Sequence, residues 1–431
     1  MKKLTLGEKV RNARLEKNLT QQEVVEGFIT RNMLSQIENN VARPSFKTIE
    51  FLSKRLNKPL SYFLDDLYED KLHNEKSCRL AFQHSCFLIK NEEYKKCTDY
   101  INKLIETNQC DYDVYYARLL YNLANCYINV DSISTSYKLL KESINLLINY
   151  EDHYYMSKSY YDLSFIYHTR KQFSYSEDCL NEAISFLDKS HVNDTLLELK
   201  LYYSLGYALF EEHKYHEAII QLQHSLKLSQ NSKCYYNNGK TNMLLGLIYK
   251  QLRDFKNAIY HTKRAIHFFK FTEDYFLMAS CQKNLGNILI LDNQLESANN
   301  ILHEALEYFL KKDILDKASA IKSDLLSILL KKEKFEDAIK FFNTIDITTL
   351  SHSDKSSLLN NVGKCYLELN DFNKANAFLD QAFKLAKDTK DNHIIYSVYN
   401  NLADYHSKTN DFQSAYSYSS KAQEILKHIY N

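Results

Sequence analysis

The sequence predicts an all-α protein in which a small helical domain precedes a long series of helix pairs. Composition is the first observation: the 431 residues include only 7 glycines and 2 prolines. Both prolines, Pro44 and Pro59, precede residue 60. A chain with many turns but few helix-breaking residues is expected to be helical throughout. The second observation is a pattern that recurs, after the first domain, at a spacing of roughly 40 residues, which is typical of helical repeats.

The formal net charge of +1 conceals an asymmetry along the chain. Residues 1–64 carry a charge of +6, whereas the remaining residues carry −5. A small basic segment on a mildly acidic body favours a nucleic-acid-binding module joined to a part that does not bind nucleic acid.

The nine cysteines include no C-x-x-C pair, and most of them fall within apolar helical patterns. Such cysteines are typical of small buried side chains in a reducing compartment. The N-terminus has no apolar core region or cleavage site of a signal peptide, and no apolar run reaches the length of about 18 residues that a membrane span needs. We therefore expect a cytoplasmic protein without membrane contact.

Sequence motifs of enzymes are absent. The chain contains no phosphate-binding glycine loop, no G-x-S-x-G nucleophile motif and no H-E-x-x-H. His213 and His216 are three residues apart, but they flank a predicted turn and are interpreted as solvated side chains. We expect neither enzymatic activity nor a cofactor nor a metal.

The first 64 residues predict five short helices. Thr20 and Glu23 have the spacing of a capping box, and Gly27 ends the helix that begins there. Thr30 and Ser45 are expected to cap the third and fourth helices, and Pro59 precedes the fifth. The predicted helices cover residues 6–17, 20–26, 31–39, 46–56 and 60–64.

Residues 4–64, with the wording LGEKVRNARLEKNLTQQE, TRNMLSQIENN and ARPS in that order, closely resemble the Cro/phage-repressor (XRE-type) helix-turn-helix family. The resemblance implies that the third helix enters the major groove of an operator in double-stranded DNA. Its outward-facing residues would approach base edges; these are Arg31, Asn32, Ser35 and Gln36. Phosphate contacts would come from Gln21, Asn40 and Arg43.

The recurring pattern has a small residue after a large apolar one, with aromatic residues or leucine and then alanine following. The small position falls at Ser85, Ala124, Ser164, Gly206, Gly246, Gly286, Leu326 (an exception in size), Gly363 and Ala403. A glycine within a helix costs about 1 kcal/mol relative to alanine, so close packing against the partner helix must compensate. The pattern resembles the tetratricopeptide repeat, although the repeats are longer than usual and lack its proline. The resemblance implies a right-handed superhelical solenoid of about nine helix pairs with a concave groove.

In tetratricopeptide repeats the first helix of each pair lines the groove, through positions three before, one after and six before the small residue. Asparagine amides there could pair with a peptide backbone, and cations could hold a carboxylate. The first two positions supply Asn125, Lys283, Asn287, Asn360, Lys364 and Asn400. The third supplies a column of cations, Arg118, Lys158, Lys200 and Lys240. The alternative is that the asparagines are ordinary repeat residues, because asparagine is common at these positions without any ligand.

The predicted organisation is a DNA-binding domain at residues 1–66, a linker at 67–76, and a sensing and oligomerisation solenoid at 77–431. This arrangement resembles the peptide-sensing regulators grouped as Rap, Rgg, NprR, PlcR and PrgX (the RRNPP type), and its repeat count and length are most similar to NprR. The resemblance implies a quorum-sensing transcription regulator that binds a signalling oligopeptide as a homodimer or higher homo-oligomer. One alternative is a scaffold that docks a response-regulator or phosphorelay protein, with DNA binding secondary. Another is a phage-type lysis–lysogeny regulator of similar build.

Overall fold

The computed structural model describes residues 4–25, 27–42, 44, 46–59, 62–63, 78–107, 113–389 and 391–430. Helices and turns account for these residues, and no β-strand occurs among them. The predicted all-α class is therefore confirmed. The chain divides into two compact units, residues 1–194 and 195–431.

The N-terminal helices follow the prediction closely. They are α1 (Leu6–Glu16), α2 (Gln21–Val25), α3 (Arg31–Glu38) and α4 (Phe46–Leu56). Of the predicted fifth helix, only residues 62–63 are described, and they are helical. Ser45, the predicted cap of α4, lies outside the described residues, as do most of residues 60–64 and the whole predicted linker.

The predicted caps of α2 and α3 are present. The Thr20 amide donates to Glu23 Oε2 at 2.7 Å, and the Glu23 amide donates to Thr20 Oγ1 at 3.3 Å. At α3 the Met33 amide donates to Thr30 Oγ1 at 3.1 Å. Gly27, after α2, has a φ of 80°, a conformation that glycine adopts without steric cost.

The later helices form nine consecutive pairs in the described part of the chain, as the repeat predicts. Their first helices are α5 Cys78–Lys90, α7 Val114–Asn129, α9 His153–Thr169, α11 Thr195–Glu211, α13 Asn238–Gln251, α15 Tyr275–Leu291, α17 Leu315–Lys331, α19 His352–Glu368 and α21 Asn392–Lys408. Their second helices are α6 Tyr94–Glu106, α8 Ile133–Asn149, α10 Phe173–Ser190, α12 Tyr215–Ser232, α14 Phe255–Phe271, α16 Leu295–Lys311, α18 Phe335–Phe342, α20 Phe372–Thr389 and α22 Phe412–Tyr430. Three pairs belong to residues 1–194 and six to residues 195–431.

Left-handed residues close the turn inside every pair, although none of them is glycine. Their φ angles lie between 56° and 63°. They are Glu92, Asp131, Lys171, His213, Arg253, Asn293, Glu333, Asn370 and Asn410. The chain thus accepts a strained conformation, about 1–2 kcal/mol for a residue other than glycine or asparagine, at positions where other proteins place glycine.

The four repeat glycines allow close helix packing, as predicted. A Cβ atom on Gly206 would lie 2.6 Å from Leu222 Cγ, and one on Gly286 would lie 2.5 Å from Leu302 Cγ. Gly363 faces Leu379 in the same way, and Gly246 faces Thr262. The nearest side chain is therefore that of the residue sixteen positions later. The backbone oxygens of the repeat alanines Ala218 and Ala258 also face Gly206 and Gly246, each at 3.4 Å from the Cβ position.

Candidate functional site

Helix α3, the predicted recognition helix, has one buried and one exposed face. Leu34 and Ile37 are buried in the core of the N-terminal helices, as the sequence predicts. Arg31, Asn32 and Gln36 are exposed, and Ser35 is half-buried. The predicted base-reading residues thus lie on the accessible side of α3. Arg43 lies outside the described residues.

A buried carboxylate joins α3 to the two helices before it. Glu38 is only 5% exposed, and it accepts hydrogen bonds from Arg14 Nε at 2.6 Å and Arg14 Nη2 at 3.0 Å. Gln21 Nε2 donates to the same carboxylate at 2.8 Å. These charge-assisted bonds hold α3 in a defined orientation on α1 and α2.

Two of the predicted phosphate-binding side chains have partners within the domain. Gln21 is bonded to Glu38, as described above. Asn40 accepts a hydrogen bond from the Gly7 amide at 2.9 Å and donates to Thr5 Oγ1 at 2.9 Å. Phosphate contacts by Gln21 and Asn40 remain predictions, and they would need the remaining hydrogen-bonding capacity of these amides.

Two of the four predicted groove cations lie together on α7 and α9. Arg118 Nε donates to Asp152 Oδ2 at 2.6 Å, and its guanidinium carbon lies 4.9 Å from the ring centre of Tyr155. Lys158 Nζ lies 4.8 Å from the same ring and 4.9 Å from the ring of Tyr121. Cation–π attraction therefore holds both cations over a shared aromatic surface.

The tyrosines of this surface are neutral at physiological pH. Burial raises the pKa of the Tyr121 hydroxyl, and the nearby Asp162 carboxylate raises this pKa further. Burial also raises the pKa of Tyr155. The surface can therefore offer aromatic faces and cationic N–H donors to an anionic group of a ligand.

The other two cations of the predicted column lie in residues 195–431. Lys200 Nζ is 5.5 Å from the ring centre of Tyr236, and Lys240 is exposed. Lys364 and Asn400 are half-buried, and their side chains have no hydrogen-bond partner within the described ranges.

Several predicted asparagines connect neighbouring repeats. Asn125 Nδ2 donates to Asp162 Oδ2 at 3.1 Å, and Asn360 Nδ2 donates to Ser397 Oγ at 2.9 Å. Asn360 also accepts from Asn401 Nδ2 at 2.9 Å. These bonds favour the alternative in which such asparagines stabilise the repeat stack.

The position two before the small residue forms a further contact between repeats. Residues at this position bond to the preceding first helix: Asn122 Nδ2 donates to Ser85 Oγ at 2.8 Å, and Asn361 Nδ2 donates to Ser327 Oγ at 2.9 Å. The signal that could have revealed this contact is the recurrence of asparagine or aspartate there, at residues 122, 162, 284, 324, 361 and 401.

No cluster of three or more histidine, cysteine or acidic side chains suited to a metal ion occurs among the residues with described positions. None of the described helices has the length and apolar character required to cross a bilayer.

Comparison with known proteins finds family matches in both parts of the chain. A helix-turn-helix family matches residues 10–63, and a tetratricopeptide repeat family matches residues 199–232 and 356–389. The response regulator aspartate phosphatase I of Bacillus subtilis (strain 168) is 19% identical over 359 residues, which are 79% of this chain and 83% of that protein.

Solved structures share the fold at low sequence identity. The apo form of the quorum sensor NprR from B. thuringiensis superposes with a TM-score of 0.59 at 15% identity, over 80% of this chain and 97% of that one. A Rap protein complexed with competence and sporulation factor gives a TM-score of 0.50 at 13% identity, over 82% of this chain and 98% of that one. The predicted combination of an XRE-type helix-turn-helix with tetratricopeptide repeats, in an NprR-like fold, is confirmed.

Proposed function

We propose that this chain is a cytoplasmic, peptide-responsive transcription regulator of the kind to which the quorum sensor NprR belongs. A head at residues 1–66 binds an operator through α3. A solenoid at residues 77–431, beyond a linker at 67–76, binds a signalling oligopeptide. The proposal depends mainly on one observation. The same NprR-like fold contains both an exposed face on α3 and repeat helices that hold cations over aromatic rings.

DNA binding is supported by the orientation of α3. Its core residues and Glu38 fix the helix against α1 and α2, which leaves Arg31, Asn32 and Gln36 accessible. Arginine can bond both acceptors of guanine, and asparagine or glutamine can bond adenine in the same bidentate way. Helix-turn-helix dimers read two half-sites about one DNA turn apart, so we propose that the active form is a homodimer or a higher homo-oligomer.

Peptide binding is supported by the cations on α7 and α9. Arg118 and Lys158 are oriented by Tyr155, so little side-chain entropy is lost when they bind a carboxylate. Lys364 and Asn400 add unpaired polar groups on later first helices, where a peptide backbone could pair with them.

Helix α5 offers a route between the two activities. Leu80 and Phe87 pack against the core of the N-terminal helices. On the same helix Phe82 lies 5.8 Å from the guanidinium carbon of Arg118, measured from its ring centre. A ligand that moves Arg118 would thus displace α5, against which the N-terminal helices pack. We propose that peptide binding affects DNA binding by this route.

The test is selection from a pool of random duplex DNA, followed by sequencing. The wild-type chain should enrich one two-fold symmetric motif. The double variant Arg31→Ala/Gln36→Ala should lose this enrichment, because each bidentate base contact contributes about 1–3 kcal/mol. Lys96→Gln removes an exposed positive charge from α6, outside the N-terminal helices, and should enrich the same motif as the wild type. Enrichment of the same motif by the double variant, with unchanged circular dichroism, would refute the assignment of α3.

The similarity to a response regulator aspartate phosphatase over 79% of this chain favours a second candidate function. The repeats would then dock a response-regulator protein, and peptide binding would release it. Surface plasmon resonance with purified response regulators tests this candidate: saturable binding that peptide abolishes would support it. Binding of none of the response regulators of the source organism would exclude it.

A further inference from the structure

A group of charged side chains on consecutive first helices of residues 195–431 is not used by the surface around Arg118. Lys250 lies on α13, Lys283 on α15 and Asp324 on α17, and all three are half-buried. The side-chain amide of Asn287, one turn after Lys283, lies 3.1 Å from both carboxylate oxygens of Asp324. We assign its nitrogen to this side, since in that orientation it donates to both oxygens.

Both lysines lack an acidic partner at ion-pair distance within the described ranges. They are nevertheless close enough to the other charged groups to be affected by them. Burial lowers the pKa of Lys250 most, Asp324 raises this pKa, and Lys283 lowers it further. Asp391 also raises this pKa. Two half-buried ammonium groups without a direct ion pair are costly, and an arriving anion in contact with them would reduce that cost.

Asp324 is the group of this cluster whose protonation state depends on its surroundings. Burial raises the pKa of its carboxyl to about 7, although Lys283, Lys250 and the hydrogen bond from Asn287 act in the opposite direction. Repulsion from Asp354 adds to the increase. Near neutral pH this carboxyl is therefore divided between its neutral and ionised forms.

We propose that Lys250, Lys283, Asn287 and Asp324 form a subsite that binds a carboxylate of the peptide, and that Asp324 takes up a proton from solvent as the carboxylate arrives. The inference rests on the proposed peptide binding. A second carboxylate beside Asp324 is a like charge, which disfavours the ionised form of Asp324. The Asn287 amide suits both states, because its nitrogen donates to an ionised carboxylate and its oxygen, after rotation, accepts from a neutral carboxyl.

The sign of the pH dependence follows. A bound anion raises the pKa of Asp324 above its value of about 7 in the free protein, so the complex holds more protons than the free chain at and above neutral pH. Affinity for the peptide should therefore fall as the pH rises from about 6 to about 8, by at most about tenfold for each pH unit.

The first experiment identifies the ligand group. The immobilised full chain is exposed to a pool of short random peptides with free C-termini and, separately, to the same pool with amidated C-termini. Retained peptides are sequenced. The wild type should retain peptides that carry a carboxylate, and the amidated pool distinguishes the C-terminal carboxylate from aspartate and glutamate side chains.

Variants of the lysines test the subsite. The double variant Lys250→Gln/Lys283→Gln should lower the affinity for the retained peptides about tenfold or more, because each substitution removes a charge-assisted hydrogen bond to the peptide carboxylate. Lys250→Arg/Lys283→Arg, which keeps the charges, should retain most of the affinity. Lys263→Gln removes an exposed charge from α14 and should have no effect.

Calorimetry with the retained peptides, in two buffers of different ionisation enthalpy, tests the proton. Uptake of protons near pH 7 by the wild type, and its loss in Asp324→Asn, would support the proposal. Proton release, or an unchanged pH dependence in Asp324→Asn, would overturn the role of Asp324. Unchanged affinity in the glutamine variant would overturn the subsite while peptide binding itself stands. If neither pool is retained by the wild type, the proposed function fails and this inference fails with it.

Discussion

Gly286 lies in the interior of α15, where an alanine would ordinarily form a more stable helix by about 1 kcal/mol. Leu302 on the facing helix leaves no room for the alanine side chain, because a Cβ atom would lie 2.5 Å from both Leu302 Cγ and Leu302 Cδ2. Overpacking of this kind costs about 1–3 kcal/mol. We therefore expect Gly286→Ala to lower the free energy of unfolding, as measured by urea denaturation.

A double-mutant cycle provides the control for this prediction. Removing the leucine relieves the collision, so Gly286→Ala should be much less destabilising in a Leu302→Ala background than in the wild type. Equal destabilisation in both backgrounds would show that the close approach of α15 and α16 is not what requires glycine at this position.

The same residue shows where inference from sequence ends. A glycine that recurs within helices indicates a close approach, and this expectation is confirmed at Gly206, Gly246, Gly286 and Gly363. The partner is harder to infer, because it depends on the direction of a side chain on the facing helix. The side chain that each glycine meets belongs to the residue sixteen positions later, a leucine or Thr262, and the repeat pattern alone does not indicate it. Asn125 was likewise predicted to face a ligand, and its bond to Asp162 depends on two helices whose relative rotation the sequence does not specify.

At the scale of elements, Glu38 makes α3 dependent on α1. Its carboxylate and the guanidinium of Arg14 are both largely buried, with side-chain exposures of 3% and 12%. Removing one partner of such a pair leaves a buried charge without compensation. Glu38→Gln should therefore destabilise the N-terminal helices by about 2–4 kcal/mol.

Hydrogen exchange of α1–α4 amides, measured by mass spectrometry, would show the loss of stability in Glu38→Gln as faster exchange. Glu50→Gln serves as the control, because Glu50 forms an i,i+4 pair with Lys54 at 3.0 Å on the surface of α4. A surface pair of this kind contributes less than about 1 kcal/mol. Comparable exchange in the two variants would contradict the role of Glu38 in holding α3.

The bounds of α1–α4 could be predicted closely, because caps and apolar periodicity are local. The prediction is weakest where the local signals are weak, as in the second helix of the seventh pair. It ends at Phe342, after eight residues, and the chain that follows buries Ile345 and Leu350. The β-branched residues from Thr344 to Thr349 do not favour a helix, and the spacing of the repeat shortens at this place.

At the scale of the molecule, the number of helix pairs and their order could be predicted, because the same apolar pattern occurs nine times in the sequence. The packing of the N-terminal helices against α5 could not be predicted. Leu80 and Phe87 belong to a repeat by their position in the chain, yet they pack against the core formed by residues 10–63. Phe87 also packs against the core of the first repeat. Such a shared side chain carries no periodic signature, so only the tertiary structure shows it.

Because Phe87 contacts both cores, we expect that its replacement lowers the stability of the N-terminal helices and of the first repeat together. Phe87→Ala removes apolar contacts from both cores and should cost about 2–4 kcal/mol. Amide exchange should then accelerate both in the N-terminal helices and in α5–α7. Phe378→Ala is the matched control, because Phe378 joins two cores within residues 195–431 and should leave exchange in the head unchanged. If Phe87→Ala accelerates exchange in the repeat alone, the head does not depend on α5, and a ligand at Arg118 would need another route to the DNA-reading helix.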